Sequence, residues 1–225
     1  MHAIDLWRKK MEIIQNSLKD PFFTDEFVAG RGLGHISYFG LEMSQNQNAV
    51  IVWDTFLKQI DTPLARIIEL GTGSGGLSVL FSIYCTINNI DFVTYDLPND
   101  SFTLTHQNLF DSLGIDYRVK DLSLPDTIEE VGQLIQQDGP TLLLCDARKE
   151  EDWNDFASYL KTGDYIAAHD YSPTEEYFWE KMAMKIWSFI FIDDARITDS
   201  CEKYNLKPCC PEMFLSAAWV CKQKH

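Results

Sequence analysis

Basic residues are scarce in this chain: Lys and Arg total 19 against 34 Asp and Glu, a formal net charge of −15 over 225 residues. The 19 do not cluster. Nucleic-acid affinity rests largely on Lys and Arg neutralising phosphates, so the balance argues against an RNA or DNA partner. Long apolar runs are missing too. No stretch approaches the ~20 apolar residues of a membrane span, and the N-terminus has no apolar signal core. The six cysteines (Cys85, Cys145, Cys201, Cys209, Cys210 and Cys221) show neither C-x-x-C spacing nor a paired framework. Cys85, Cys145 and Cys221 lie in apolar runs and read as small buried hydrophobes. Cys209-Cys210, with Cys201 nearby, leaves a metal or disulfide open, but reduced thiols are the simpler reading. Repeats and low-complexity segments are absent. The expectation is a cytoplasmic protein without membrane or nucleic-acid partners.

What is present reads as one α/β domain behind a helical N-terminal extension. Trp7, Met11, Ile14 and Leu18 recur at helical spacing. Residues Phe22 to Gln47 read as irregular, with Gly30, Gly32, Gly34 and Gly40 among aromatics. This segment suits an active-site cover or a plain connector equally well. A second helix is expected near Asn48 to Ile60, so residues 1–60 form the extension and 61–225 the main domain. Beyond it, strands at Arg66–Leu70, Asp91–Tyr95, Asp116–Val119, Thr141–Cys145 and Tyr165–Ala168 alternate with helices starting near Leu77, Thr103, Ile128 and Asp152. Such alternation predicts a doubly wound, mostly parallel sheet. A helix near Glu175–Phe189 and two tail strands follow. The last strand, Leu215 to Cys221, is expected to close a seven-stranded sheet in the antiparallel sense.

The most informative stretch runs from Ile67 to Gly76. A short apolar strand leads into Glu69, then Gly71-Thr72-Gly73-Ser74-Gly75-Gly76, and Leu77, Leu80, Phe81 and Tyr84 follow at helical spacing. Strand, tight glycine turn and helix N-terminus let a backbone approach a nucleotide-like ligand closely. Gly71, Gly73 and Gly76 also satisfy the dinucleotide pattern G-x-G-x-x-G, so a nicotinamide-dependent oxidoreductase using Asp96 is the rival reading. Glu69 argues against it, because a carboxylate about 4 Å from a phosphate costs roughly 4 kcal/mol at an effective dielectric near 20. The same carboxylate suits a ligand bearing an ammonium and a sulfonium.

Ligands of open α/β sheets sit at the carboxyl ends of the strands. Here the strand ends deliver Glu69, Asp96, Asp121, Asp146 and then His169-Asp170. A single strand-end carboxylate is more often a cap or a solvated turn residue. Four in succession, with a fifth acid at the glycine turn, form a pattern.

Glu69-Leu70-Gly71-Thr72-Gly73-Ser74-Gly75 resembles motif I (E/D-x-G-x-G-x-G) of the class I S-adenosylmethionine-dependent methyltransferases, a Rossmann-like fold, and the likeness runs from about Gln45 onward. The resemblance implies a cofactor site of Glu69, Gly71, Thr72, Gly73, Ser74 and Gly75, with Asp96 and Leu97 at the ribose, Asp121 and Leu122 at the adenine, and Asp146 beside them. Asp146-Ala147-Arg148-Lys149 and His169-Asp170-Tyr171 resemble the metal-assisted O-methyltransferases of the catechol type and the macrocin or cephalosporin-tailoring types. That likeness implies Mg²⁺ or another divalent metal on Asp146, His169 and Asp170, with Lys149 as general base. A metal on the acceptor oxygen lowers its pKa, and a Lys of depressed pKa then removes the proton. His169 departs from the acidic residue usual there; it reads as a ligand favouring Mn²⁺, Fe²⁺ or Zn²⁺, as a metal-free base oriented by Asp170, or as a structural strand-end residue. Arg148, Tyr171 and Trp179 are acceptor-pocket candidates. The expected activity is methyl transfer to a hydroxyl of a small molecule (a natural product, sugar or phenol). A non-catalytic cofactor-binding relative, and a homo-oligomer built on the first helix, stay open.

Overall fold

The computed structural model describes residues 35–38, 40–46, 48–98, 102–182 and 192–225. The helix expected around Trp7 to Leu18 lies outside them. The first described elements are an antiparallel hairpin, β1 (His35–Tyr38) and β2 (Leu41–Ser44), turning through Gly40 at φ 81°. The reading of this stretch as irregular was therefore incomplete. Its glycines and aromatics hid a strand pair whose inward residues, Leu41 and Met43, are buried.

Helix α1 (Ala49–Gln59) buries Ala49, Val50, Val52, Trp53, Phe56 and Leu57 along one side. Trp53 is the centre of that contact, with Phe56, Phe81, Phe214 and Trp219 edge-on around it at centroid distances of 4.9–5.9 Å. Such edge-to-face pairs add to area burial, and truncating a central Trp costs about 3–5 kcal/mol. The alternating region then supplies β3 (Arg66–Leu70), α2 (Gly76–Asn88), β4 (Asp91–Asp96), α3 (Leu104–Leu113), β5 (Asp116–Val119), α4 (Pro125–Gln136), β6 (Thr141–Cys145), α5 (Glu150–Phe156) and β7 (Tyr165–His169). The boundaries follow local chemistry. Pro125 opens α4 at a position whose N–H has no helical partner, and Thr103 and His106 cap α3 reciprocally before Gly114 ends it in the left-handed region.

The tail adds α6 (Asp194–Lys203), β8 (Leu206–Pro208), α7 (Pro211–Leu215) and β9 (Trp219–Lys224). The closing strand thus begins four residues later than the apolar run suggests. Pro211 starts a short helix that runs through Leu215, and Ala218 at φ 57° turns the chain into β9. The helix expected over Glu175–Phe189 is α-helical only at Glu175–Tyr177 and widens to a π-helical turn over Phe178–Met182; the rest lies outside the described residues.

Seven strands form one sheet in the order β5-β4-β3-β6-β7-β9-β8, with β9 antiparallel to both neighbours. From β3 the chain winds outward through β4 and β5, then returns to β6 and winds the other way. The order therefore reverses between β3 and β6. A crevice opens beyond the carboxyl ends of the strands at such a reversal, and this is where α/β sheets bind ligands. β3, β6 and β7 are buried along their whole length, as central parallel strands should be. No helix among the described residues is long and apolar enough to cross a membrane.

Candidate active site

The glycine turn closes the β3 end. The ladder continues past the strands, with Gly71 N donating to Tyr95 O at 2.8 Å and Asp146 N to Leu70 O at 2.7 Å. This brings the turn against the end of β6: a Cβ on Gly71, at φ 107°, would lie 2.6 Å from the backbone of Asp146 and Ala147. Gly73 differs. Its φ is 54°, yet nothing lies within 4 Å of where its Cβ would be, so its missing side chain leaves space open. Asp96, at the end of β4, accepts from Gly73 N at 2.7 Å and from Leu97 N at 2.8 Å. Burial pushes its pKa up, against the pull of those two donors.

A cavity of about 250 Å³ lies at this point. Gly71, Thr72, Gly73, Ser74 and Asp96 line one side, Asp146, Lys149, His169 and Asp170 another, and Glu42 to Gln45 of the hairpin a third. The expected glycine-turn and strand-end residues are thus brought together, except Glu69, Gly75, Leu97, Asp121 and Leu122, which are not among its lining. Glu69 is fully buried within β3 and takes a hydrogen bond from Ser78 Oγ. Burial pushes its pKa up to about 8, against Ser78 and Thr94. At neutral pH burial therefore favours the protonated form of this carboxyl. Asp121 accepts from Ser123 N and Oγ at 2.8 and 2.6 Å, and Leu122 is buried in the core. Leu97 is exposed.

The strand-end cluster is compact. One donor atom from each of Asp146, His169 and Asp170 lies within 4.8 Å of the others. His169 Nδ1 stands 3.2 Å from Asp146 Oδ1 and 3.3 Å from Asp170 Oδ1, and that Asp170 oxygen is buried without a hydrogen bond. Lys149 Nζ bridges the two carboxylates, 3.3 Å from Asp146 Oδ1 and 3.1 Å from Asp170 Oδ2. Lys149 and Asp170 take positive φ, 42° and 59°, which places backbone strain at both strand ends. Burial works against the Lys149 ammonium, but Asp146 and Asp170 outweigh it and raise its pKa. The two carboxylates that face this Lys thus favour its charged form. Burial likewise opposes the His169 cation, and Asp170 and Asp146 outweigh it. Burial also opposes the Asp146 carboxylate, yet His169 and Lys149 hold its pKa below the usual value.

Sequence reasoning missed Gln45. It is buried after β2, with Nε2 2.8 Å from Asp146 Oδ2 and 3.3 Å from His169 Nδ1, and with Oε1 accepting from Trp219 Nε1 at 2.8 Å. A glutamine 101 residues from its partner carries no local signal. The acceptor-pocket candidates are dispersed. Arg148 is held by Asp152 and Asp155, Tyr171 donates to Asp194 Oδ1 at 2.9 Å, and Trp179 is exposed against Glu175. Tyr171 does line a second, more apolar cavity of about 230 Å³ with Pro173, Leu215 and Trp219.

No protein-family model and no curated protein matches this chain. Solved structures do. A structure of CmcI with Mg and SAM is 17% identical, with a TM-score of 0.56 over 84% of this chain and 77% of that one. An apo structure of CmcI is 15% identical, with a TM-score of 0.55 over 84% and 76%. An O-methyltransferase family protein from Burkholderia thailandensis is 10% identical, with a TM-score of 0.51 over 79% of this chain. This chain spans 58% of that protein's length. At these identities the likeness shows the fold, which is the Rossmann-like fold of class I methyltransferases.

Proposed function

We propose that this chain is an S-adenosylmethionine-dependent O-methyltransferase acting on a hydroxyl of a small molecule, with a divalent metal at the strand-end cluster. The observation that carries the reading is the charge of the cavity. Glu42, Asp96, Asp146 and Asp170 line it against a single Lys149, with His169 beside them. A ligand bearing a sulfonium and an ammonium suits those walls, whereas a pyrophosphate is repelled by each carboxylate within reach. The open space at Gly73 accommodates a ligand against the turn, and Asp96, half-buried at the end of the second strand of the winding, sits where a carboxylate reaches ribose hydroxyls.

The donor set fits a divalent metal. Two carboxylates and an imidazole converge, and the Asp170 oxygen facing His169 is buried without a hydrogen bond. Asp146, His169 and Asp170 would hold the ion; the imidazole favours Mn²⁺, Fe²⁺ or Zn²⁺ beside Mg²⁺. Bound there, a metal lowers the pKa of a coordinated hydroxyl. The chain's own residues do the rest. The carboxylate walls favour the sulfonium before transfer more than the neutral thioether after it, which helps product leave. The glycine turn and the cluster fix the two reacting groups across one cavity, and positioning is where most of the rate of an in-line displacement comes from. The fold shared with CmcI, whose structure holds Mg and SAM, and with an O-methyltransferase family protein supports this choice.

One observation favours a second reading. Lys149 already bridges Asp146 and Asp170 as a cation, so the reaction runs without metal if the ammonium stays there. The test is transfer of a labelled methyl group from S-adenosylmethionine to a panel of phenols, sugars and hydroxylated natural products. It is run with Mg²⁺ or Mn²⁺ and with a chelator. Metal-dependent labelling of a hydroxyl is the expected result. Labelling unaffected by chelator selects the metal-free reading, and labelling of no acceptor under any condition defeats both.

A further inference from the structure

Gln45 is the polar bridge that the proposed chemistry leaves unexplained. An indole N–H donates and never accepts. The 2.8 Å bond from Trp219 Nε1 to Gln45 Oε1 therefore fixes which way the amide points. Its oxygen faces Trp219, and its nitrogen faces Asp146 Oδ2 at 2.8 Å and His169 Nδ1 at 3.3 Å. Trp219 has little freedom of its own. It lies opposite His169 in the β7–β9 register, with ring centroids 5.0 Å apart, and packs edge-on against Trp53. With Oδ2 of Asp146 taken by the amide, Oδ1 is left to His169 Nδ1 at 3.2 Å and Lys149 Nζ at 3.3 Å.

We propose that Gln45 is a positioning residue of the strand-end cluster, oriented by the Trp219 indole, which assigns the two oxygens of Asp146 and sets the His169 ring. The inference rests on the methyltransferase reading for what the cluster does, while the relay itself is geometric. Gln45 follows β2, so the relay also ties the hairpin wall of the cavity to the closing strand.

The test uses the full chain labelled with ¹⁵N. Ring-nitrogen resonances of His169 are compared in wild type, Gln45→Met, Trp219→Phe and the double variant, each with its thermal midpoint. Gln45→Met keeps length and loses the amide; Trp219→Phe keeps an aromatic ring and loses the donor. Both single variants are expected to displace the His169 resonances in the same sense, and the double variant no further. Mn²⁺ affinity, followed by electron paramagnetic resonance, is expected to fall about 10–100-fold in each single variant and no more in the double, as for other residues that orient metal ligands. Unmoved His169 resonances in both single variants overturn the relay. A response to Gln45→Met alone overturns the orienting role of the indole. If Gln45→Met does not fold, Gln45→Glu keeps an acceptor for Trp219 but turns an oxygen on Asp146, and unmoved resonances there overturn it equally. Wild type that binds no Mn²⁺ removes the metal from the proposed function, while the His169 resonances still decide the relay.

Discussion

Replacing Glu69 by Gln is expected to stabilise this protein near neutral pH, although Glu69 occupies the acidic position of the glycine-turn motif. The carboxyl is fully buried, and its pKa is pushed up to about 8 from an ordinary 4.5. The sign follows from linkage. A raised folded pKa means that stability is fully present below pH 4.5, drains away as pH rises and levels off above pH 8. At pH 7 the unfolded carboxyl is ionised and the folded one still holds its proton. pH 7 lies about 2.5 pH units above the ordinary value, so at about 1.36 kcal/mol per unit the folded state loses about 3 kcal/mol. The amide introduced by Glu69→Gln does not titrate and still offers groups to Ser78 and Thr94. The variant should gain about 2–3 kcal/mol at pH 7, or roughly 5–10 °C in thermal midpoint for a chain of this size. The gain should shrink toward zero near pH 4.5. Thermal and urea unfolding of both proteins at several pH values from 5 to 8.5 measure it, and other titrating groups cancel in the difference. A difference independent of pH, or a variant less stable at pH 7, refutes the reasoning.

Three further perturbations separate roles within the cavity. Gly71→Ala drives a Cβ to within 2.6 Å of the β6 backbone and should prevent folding or cost several kcal/mol, whereas Gly73→Ala costs about 1 kcal/mol for its φ and mainly weakens ligand binding; thermal midpoints and S-adenosylhomocysteine titrations distinguish them. Asp96→Asn should weaken S-adenosylhomocysteine binding by calorimetry about tenfold or more while leaving Mn²⁺ affinity unchanged, because Asp96 stands at the turn and outside the cluster. Lys149→Met should tighten Mn²⁺ binding, since its ammonium now sits between the two carboxylates, and Asp170→Asn should lose it.

The sheet was legible because its strands are short apolar runs with sharp ends, and all five parallel strands fall within a residue of their expected bounds. The topology follows from the alternation, and with it the crevice where Asp96, Asp146, His169 and Asp170 meet. What the sequence concealed was direction and partnership. Glu69 and Asp96 both stand near the ends of neighbouring strands, yet one points into the core toward Ser78 and the other onto Gly73. Strand alternation alone does not say which face holds the cavity. Lys149 kept the spacing of a base, but its second carboxylate partner, Asp170, arrives from another strand and, together with Asp146, raises its pKa against burial. Gln45 and Trp219 are joined across 174 residues, and neither carries a charge to mark it. The hairpin over residues 35–44 and the late start of β9 were hidden by glycine, aromatic and alanine composition that suits turns and strands alike.

The most direct test of the acid-lined cavity is a paired titration of the full chain with S-adenosylhomocysteine and with NAD, read by thermal shift and calorimetry. S-adenosylhomocysteine at about 100 times its Kd should stabilise the protein by about 2.7 kcal/mol, and NAD at the same concentration should leave the midpoint where it was. Stabilisation by NAD alone contradicts the account.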